Sequence, residues 1–209
     1  MSPHTDPHRI RTVDALDALV GEVGAASIRK EVPYLHPIYQ AWIAASPFAV
    51  LATVGPDGLD ASPRGDPAGW AICADEHTLL LPERRGNQRV DSLRNLLTDP
   101  RVALLFMIPG VGETLRVNGR ATISVAPELL QRCTLHGKPP VCVLRVAVDS
   151  AFFQCARAMQ RSGLWEPRDA ASRPAVPSAG AMLAALTGHE LGGASYDREL
   201  PERQRRTLY

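Results

Sequence analysis

The chain opens with helical spacing. Thr12 stands where an N-cap belongs, and Val13, Leu16, Leu19, Val20 and Val23 recur at three- and four-residue intervals before Gly24. This predicts a helix over 12–23, and Ile38–Ala45 predicts a second short one that must stop before Pro47. The period then changes. Residues 47–54 form a nearly unbroken apolar run too short for a helix, Gly55-Pro56-Asp57-Gly58 makes a turn, and a strand returns through 59–62. Strands are expected over 78–81 and 101–108. Between them, Val90, Leu93 and Leu97 put one apolar stripe on a helix over 89–97.

Residues 113–124 carry the clearest pattern. Leu115, Val117, Gly119, Ala121 and Ile123 alternate with Thr114, Arg116, Asn118, Arg120 and Thr122, so one face of a strand is apolar and the other polar. A helix over 126–135, a strand over 141–148 and a helix over 152–161 follow. Beyond Pro167 the chain is rich in Ala, Pro, Gly and Ser. Pro167, Pro174 and Pro177 make 166–180 a wrapping or mobile segment, followed by a short helix near 181–186 and a polar end. Five or six strands at hairpin spacing with a few peripheral helices predict a mainly β chain folded as a small antiparallel barrel. The expected organisation is an N-terminal helical extension over 1–27, a barrel domain over 28–166 and a C-terminal wrapping segment over 167–209.

Composition narrows the function classes. The 209 residues carry 23 basic and 22 acidic side chains, so a net charge of +1 provides no global field to draw in nucleic acid or an acidic membrane. No apolar run is long enough to span a bilayer, and the N-terminus lacks a signal-peptide pattern. Cys73, Cys133, Cys142 and Cys155 lie far apart without CxxC spacing, which suits reduced thiols, and the six His show no ligand spacing, so no metal site is expected. The expected location is cytoplasmic. The basic residues are skewed, since only Lys30 and Lys138 are Lys and the other 21 are Arg. Base composition accounts for such a skew, and so would planar guanidinium forks for phosphate or carboxylate.

Three segments have the polar density to hold a ligand. In Ser62-Pro63-Arg64-Gly65-Asp66-Pro67, Arg64 would face an anionic or heteroaromatic group, or would only pair with Asp66 on a surface turn. In Pro82-Glu83-Arg84-Arg85-Gly86-Asn87-Gln88-Arg89, three Arg precede a helix, where free N–H groups and the helix dipole attract phosphate; a solvated basic face balanced by Glu83, Asp91 and Asp99 is the alternative. The polar face of strand 113–124 is either solvated, a subunit interface or a second wall of the same site. Neither a GxSxG elbow nor a Walker loop is present. Cys155 reads as a core residue of its helix. Trp165 would close the barrel or stack on a flat ligand.

These blocks resemble a known family. Ser46–Thr53, Asp60–Pro67, Leu81–Asn95, Pro100–Phe106, Ile108–Arg120, Phe153–Ala158 and Arg161–Trp165 follow, in order, the pattern of pyridoxamine 5′-phosphate oxidase-like flavin proteins, over roughly residues 28–166. The resemblance implies a six-stranded antiparallel split β-barrel, a homodimer and FMN at the subunit interface. By analogy Arg64, Gly65 and Asp66 would line the flavin ring or ribityl chain. Pro82, Arg84, Asn87 and Arg89 would carry the phosphate, assisted by Arg85 or Arg94. Thr114 and Arg116 would complete the site, and Arg161 and Trp165 would approach the ring edge. The chain has Arg85, Gln88 and Arg157 where the subgroup has Pro, Asn and Lys. It also has Arg-Arg-Thr-Leu-Tyr where the vitamin oxidase has the Arg-Leu-His motif that reads its substrate, so pyridoxamine phosphate is not the expected substrate. The implied function is an FMN-dependent oxidoreductase acting on another small molecule, its chemistry belonging to the cofactor. The alternative is a non-catalytic flavin- or haem-binding carrier or sensor on the same barrel.

Overall fold

The computed structural model describes residues 6, 8–86, 88–167, 169 and 175–209. The chain divides into two compact units, Met1–Glu31 and Val32–Tyr209. The first holds α1 (Val13–Val20) and α2 (Ala25–Arg29). The Thr12 hydroxyl accepts from the Ala15 amide at 3.2 Å, the expected N-cap, while Gly21 at φ 78° ends the helix earlier than Gly24 would.

In the second unit, α3 (Pro37–Ala45) leads into seven strands: β1 (Phe48–Gly55), β2 (Gly58–Gly65), β3 (Ile72–Cys73), β4 (Thr78–Glu83), β5 (Arg101–Met107), β6 (Thr114–Ser124) and β7 (Cys142–Gln154). Helices α4 (Asp91–Leu96), α5 (Pro127–Arg132), α6 (Arg157–Ser162), α7 (Ala179–Leu186) and α8 (Gly193–Arg206) complete it. The strands form one antiparallel sheet in the order β2-β1-β5-β6-β7-β4-β3. Six are long, and the two-residue β3 is added at an edge, so the fold is the expected antiparallel barrel with peripheral helices.

Alternation places the core. Ala49 and Leu51 of β1, Val102, Leu104 and Phe106 of β5, Leu115, Val117 and Ala121 of β6 and Val146 of β7 pack inside with Leu35, Tyr39 and Ile43. The unbroken Leu79-Leu80-Leu81 run has a different cause. Leu79 and Leu81 face the main core, while Leu80 joins Cys133 and Val143 in a second cluster against which Leu129 and Leu130 of α5 pack. A strand covered on both faces loses its alternation.

Two expectations fail. Residues 152–154 continue β7 instead of starting a helix, because β6 is long enough to pair with them: Leu115 lies opposite Phe153 and Thr114 opposite Gln154. Cys155 therefore falls just past the strand and is exposed, not packed in a helix. The 14-residue α8 was hidden by its composition, mostly polar and interrupted by Pro201. Of the expected wrapping segment, residues 168 and 170–174 lie outside the described residues.

The β6–β7 register shifts between Asn118 and Gly119. At Gly119 a Cβ would lie 2.3 Å from the Ala147 carbonyl oxygen and 2.9 Å from a Val146 methyl, so only glycine fits the irregularity. Gly119→Ala is expected to cost about 1–3 kcal/mol through overpacking against backbone. That would lower the melting temperature by roughly 2–4 °C per kcal/mol in a chain of this size, measurable by calorimetry.

Candidate functional site

The site lies where the two sides of the curled sheet face each other without a ladder. Along β2, half-buried Asp60, Ser62 and Arg64 alternate with exposed Leu59, Ala61 and Pro63. The β1 residues opposite the first three, Thr53, Leu51 and Ala49, are buried. The polar row therefore shares its side of the sheet with the core, and β2 carries charge where a closed barrel would carry apolar residues.

Although β2 and β4 stand near opposite ends of the strand order, their C-terminal ends meet. Arg64 Nε donates to Glu83 Oε2 at 2.9 Å, and Arg84 Nε donates to Asp66 Oδ2 at 2.7 Å. Each strand end supplies one base and one acid, so the two pairs cross the seam in opposite senses. They are well shielded, at 16% and 17% side-chain exposure for Arg64 and Glu83 and 16% and 5% for Arg84 and Asp66. Arg64 Nη1 also donates to Ser62 Oγ and to the Pro63 carbonyl, both at 2.9 Å. Ser62 Oγ lies 2.8 Å from Ser92 Oγ, and Ser92 donates to Asp60 Oδ2 at 2.6 Å. A continuous polar chain thus runs from Glu83 through Arg64, Ser62 and Ser92 to Asp60, joining both strands to α4.

A cleft of about 540 Å³ opens over this chain, a volume typical of small-molecule sites. Of the residues expected at a ligand, Arg64, Gly65, Asp66, Pro82, Arg84, Arg85 and Arg89 line it together. Gly65 has a structural reason to be glycine, since a Cβ there would lie 3.1 Å from the Pro47 carbonyl. Arg85 is exposed and forms no ion pair with a described residue. Arg89 pairs with Asp91, and the Arg89 guanidinium holds the Asp91 carboxyl below its ordinary range. The helix here starts at Asp91, not Arg89, and has only six residues, so attraction for an anion falls on the guanidinium groups more than on a helix dipole.

The remaining expected residues lie elsewhere. Asn87 is outside the described residues. Arg94 is exposed on α4 and reaches Asp91 at 3.4 Å without lining the cleft. Thr114 is buried at the start of β6, and Arg116 lies over the Phe152 ring at 5.3 Å and donates to Gln154 at 3.4 Å. Arg161 is exposed on α6. Trp165 donates from its indole N–H to the Val111 carbonyl at 2.8 Å and lines a second hollow with Gly110, Gly112 and Met159. Asp60, Ser92 and Trp70 are lining residues that the sequence reading did not single out, and Ser62 was named there only as part of its segment. Asp60 and Ser62 had a signal, period-two spacing with Arg64. Ser92 had none.

The family model for pyridoxamine 5′-phosphate oxidase matches residues 35–155, which contain both sides of the seam and most of the barrel. The chain belongs to the pyridoxamine 5′-phosphate oxidase family. Among characterised proteins none matches it in sequence. Of solved structures, it is similar to a HupZ variant from Group A Streptococcus, with 18% identity over 57% of this chain and 99% of that one and a TM-score of 0.47. It is also similar to a putative pyridoxamine 5′-phosphate oxidase from Lactobacillus delbrueckii, with 20% identity, 58% and 95% coverage and a TM-score of 0.44. A third is an FMN-binding protein from Syntrophomonas wolfei, with 10% identity, 54% and 79% coverage and a TM-score of 0.40.

In this member of the pyridoxamine 5′-phosphate oxidase family the seam acids engage the Nε edge of Arg64 and Arg84. The terminal amino groups of Arg84 bond no described residue and remain for a bidentate anion. The serine–aspartate chain presents both donors and acceptors to hydroxyl groups. Removing one member of a shielded pair strands its partner. Asp66→Asn or Glu83→Gln is therefore expected to cost about 1–3 kcal/mol in denaturant unfolding, between the values for surface and fully buried pairs. The two substitutions should sum non-additively, because both act on the same seam.

Proposed function

We propose that the chain is an FMN-dependent oxidoreductase of the pyridoxamine 5′-phosphate oxidase-like class that acts on a small organic molecule. The observation that carries this reading is Arg84, tied by Nε to a nearly buried carboxylate at the mouth of a 540 Å³ cleft, with its terminal amino groups bonded to none of the described residues. Arg84, Arg85 and Arg89 would hold the phosphate, and Ser62, Ser92 and Asp60 would meet the ribityl hydroxyls. Trp70, buried and bonded from its indole N–H to the Ser46 carbonyl at 3.0 Å, would form part of the apolar wall. FMN supplies hydride exchange at its ring when bound, and the protein supplies orientation, electrostatics and shielding from water. Among the described residues that line the cleft there is no His, Cys or Met to serve as an axial ligand, which favours flavin over the haem reading.

We further propose a homodimer. On the outer face of the sheet, Val50, Leu105 and Phe152 lie in one cross-strand row with Arg116, and Ala52 and Ala103 in the next with Asn118. All are half-buried in the single chain. A mostly apolar sheet face bounded by polar groups suits association with a second copy. Thr114, Arg116, Arg161 and Trp165, set apart from the cleft in one chain, would then form its second wall from across the interface.

Purified protein is expected to show flavin absorbance, or to acquire it on adding FMN; a colourless protein that takes up no FMN would refute the assignment. Arg84→Ala should weaken FMN binding by about 10-fold or more, as expected for a lost charge-assisted hydrogen bond. Leu105→Arg should convert a dimer to a monomer in light scattering and lower FMN affinity with it; a variant that stays dimeric would count against this face.

A further inference from the structure

We propose that Asn95 is a positioning residue of the cleft: its carboxamide sits in a notch over Gly55, locks α4 onto β1 and thereby fixes where Ser92 stands. The proposal rests on the reading of the cleft given above. Asn95 does not line the cleft itself. It lies half-buried one turn beyond Ser92, so the two side chains project from the same side of α4. Asn95 Nδ2 donates to Thr53 Oγ1 at 3.0 Å, and Ser92 Oγ donates to Asp60 Oδ2 at 2.6 Å. Thr53 and Asp60 are direct cross-strand partners of β1 and β2. One side of the helix is therefore pinned at two adjacent points of a single strand pair.

The notch is made by a missing side chain. A Cβ on Gly55 would lie 2.6 Å from Asn95 Cγ and 3.3 Å from Asn95 Nδ2, and the three atoms nearest to it all belong to that carboxamide. Any side chain at 55 would take the space that Asn95 fills. The hairpin turn does not ask for glycine there. Gly58 supplies its left-handed residue, at φ 118°, whereas Gly55 has no positive φ, so the bare backbone at 55 answers to Asn95.

The helix needs such a lock. It has only six residues, Val90 at its N-cap offers no capping side chain, and a helix this short is not stable alone. Leu96 in the core, with Leu93 packed against it, holds the helix down, but apolar contact is not directional and allows sliding. The hydrogen bonds of Asn95 are directional. Its main-chain carbonyl accepts from the Thr98 and Asp99 amides, both at 2.9 Å, and from Thr98 Oγ1 at 2.8 Å, which closes the helix at the residue that docks on β1. With that end fixed, Ser92 is held between Ser62 and Asp60 at the cleft.

Gly55→Ala, Asn95→Ala and the double variant test this. Each single substitution lies outside the cleft, yet FMN titration, followed by flavin fluorescence, is expected to show affinity about 5- to 10-fold weaker, the scale of one net hydrogen bond lost at Ser92. The double variant should bind like Asn95→Ala alone, since the added methyl then has room. In a Ser92→Ala background, Asn95→Ala should weaken binding no further, although it still lowers the melting temperature; a merely stabilising residue would cost the same affinity in both backgrounds. Unchanged affinity in either single variant, losses that multiply in the double variant, or an undiminished loss in the Ser92→Ala background overturns the proposal. A readout free of ligand separates this from the reading of the cleft. Amide hydrogen exchange over 91–99 should quicken in Gly55→Ala while β5 and β6 keep their protection. If it does so but the unmodified protein binds no FMN, the flavin reading fails and the lock on α4 stands. If FMN binds but exchange over 91–99 is unchanged, the lock is overturned.

Discussion

The crossed ion pairs Arg64–Glu83 and Asp66–Arg84 are the constraint on which the rest of this molecule turns. The sheet has two sides that curl toward each other and do not join by a ladder, and side chains complete what backbone does not. Taking four charges partly out of water offsets much of their Coulomb attraction, so the pairs add more to geometry than to net stability. Geometry is what the site needs. Because the acids grip the Nε edges, each guanidinium is fixed in plane and direction, and a group with five donors is left with some to offer. An apolar seam would close the barrel equally well and leave nothing for an anion to bind.

The surrounding elements serve that seam. β1 places its own buried residues beside the polar row of β2, so the row is rigid along its whole length. Ser92 enters from α4 and ties that helix to both Ser62 and Asp60. Phe106 and Trp70, with ring centroids 6.5 Å apart, pack the floor next to the cleft. From the far end of the chain, Tyr209 packs on the turn at 135–138. Binding chemistry built on rigid strands with a packed floor is pre-organised, so little ordering remains for the ligand to induce.

Most of the fold was legible in the sequence because alternation along a strand reports its faces directly. Residues 113–124 read as an apolar and a polar face, and the apolar face is in the core. Where both faces are covered, as at Leu79–Leu81, the period vanishes and only the length of the run gives the strand away. The end of β7 was not legible, since residues 152–154 are a strand only by virtue of their partners on β6. The site was half legible. Clustered Arg marked both sides of the seam, and the family resemblance joined them. Which acid pairs with which base was not readable, because the local Arg64–Asp66 pairing suggested by spacing gives way to pairs across 18 and 19 residues. Ser92 carried no local signal at all; tertiary closure alone brings it in.

The central claim is that guanidinium groups fixed at the seam receive a phosphate, and the phosphate itself is the most direct probe of it. Titrating the unmodified protein with FMN and with riboflavin, which differ by that one group, isolates the contribution. The account predicts that FMN binds about 100-fold more tightly or better, a difference of about 2.7 kcal/mol, as two or more charge-assisted hydrogen bonds would supply. Equal affinity for the two flavins would contradict it.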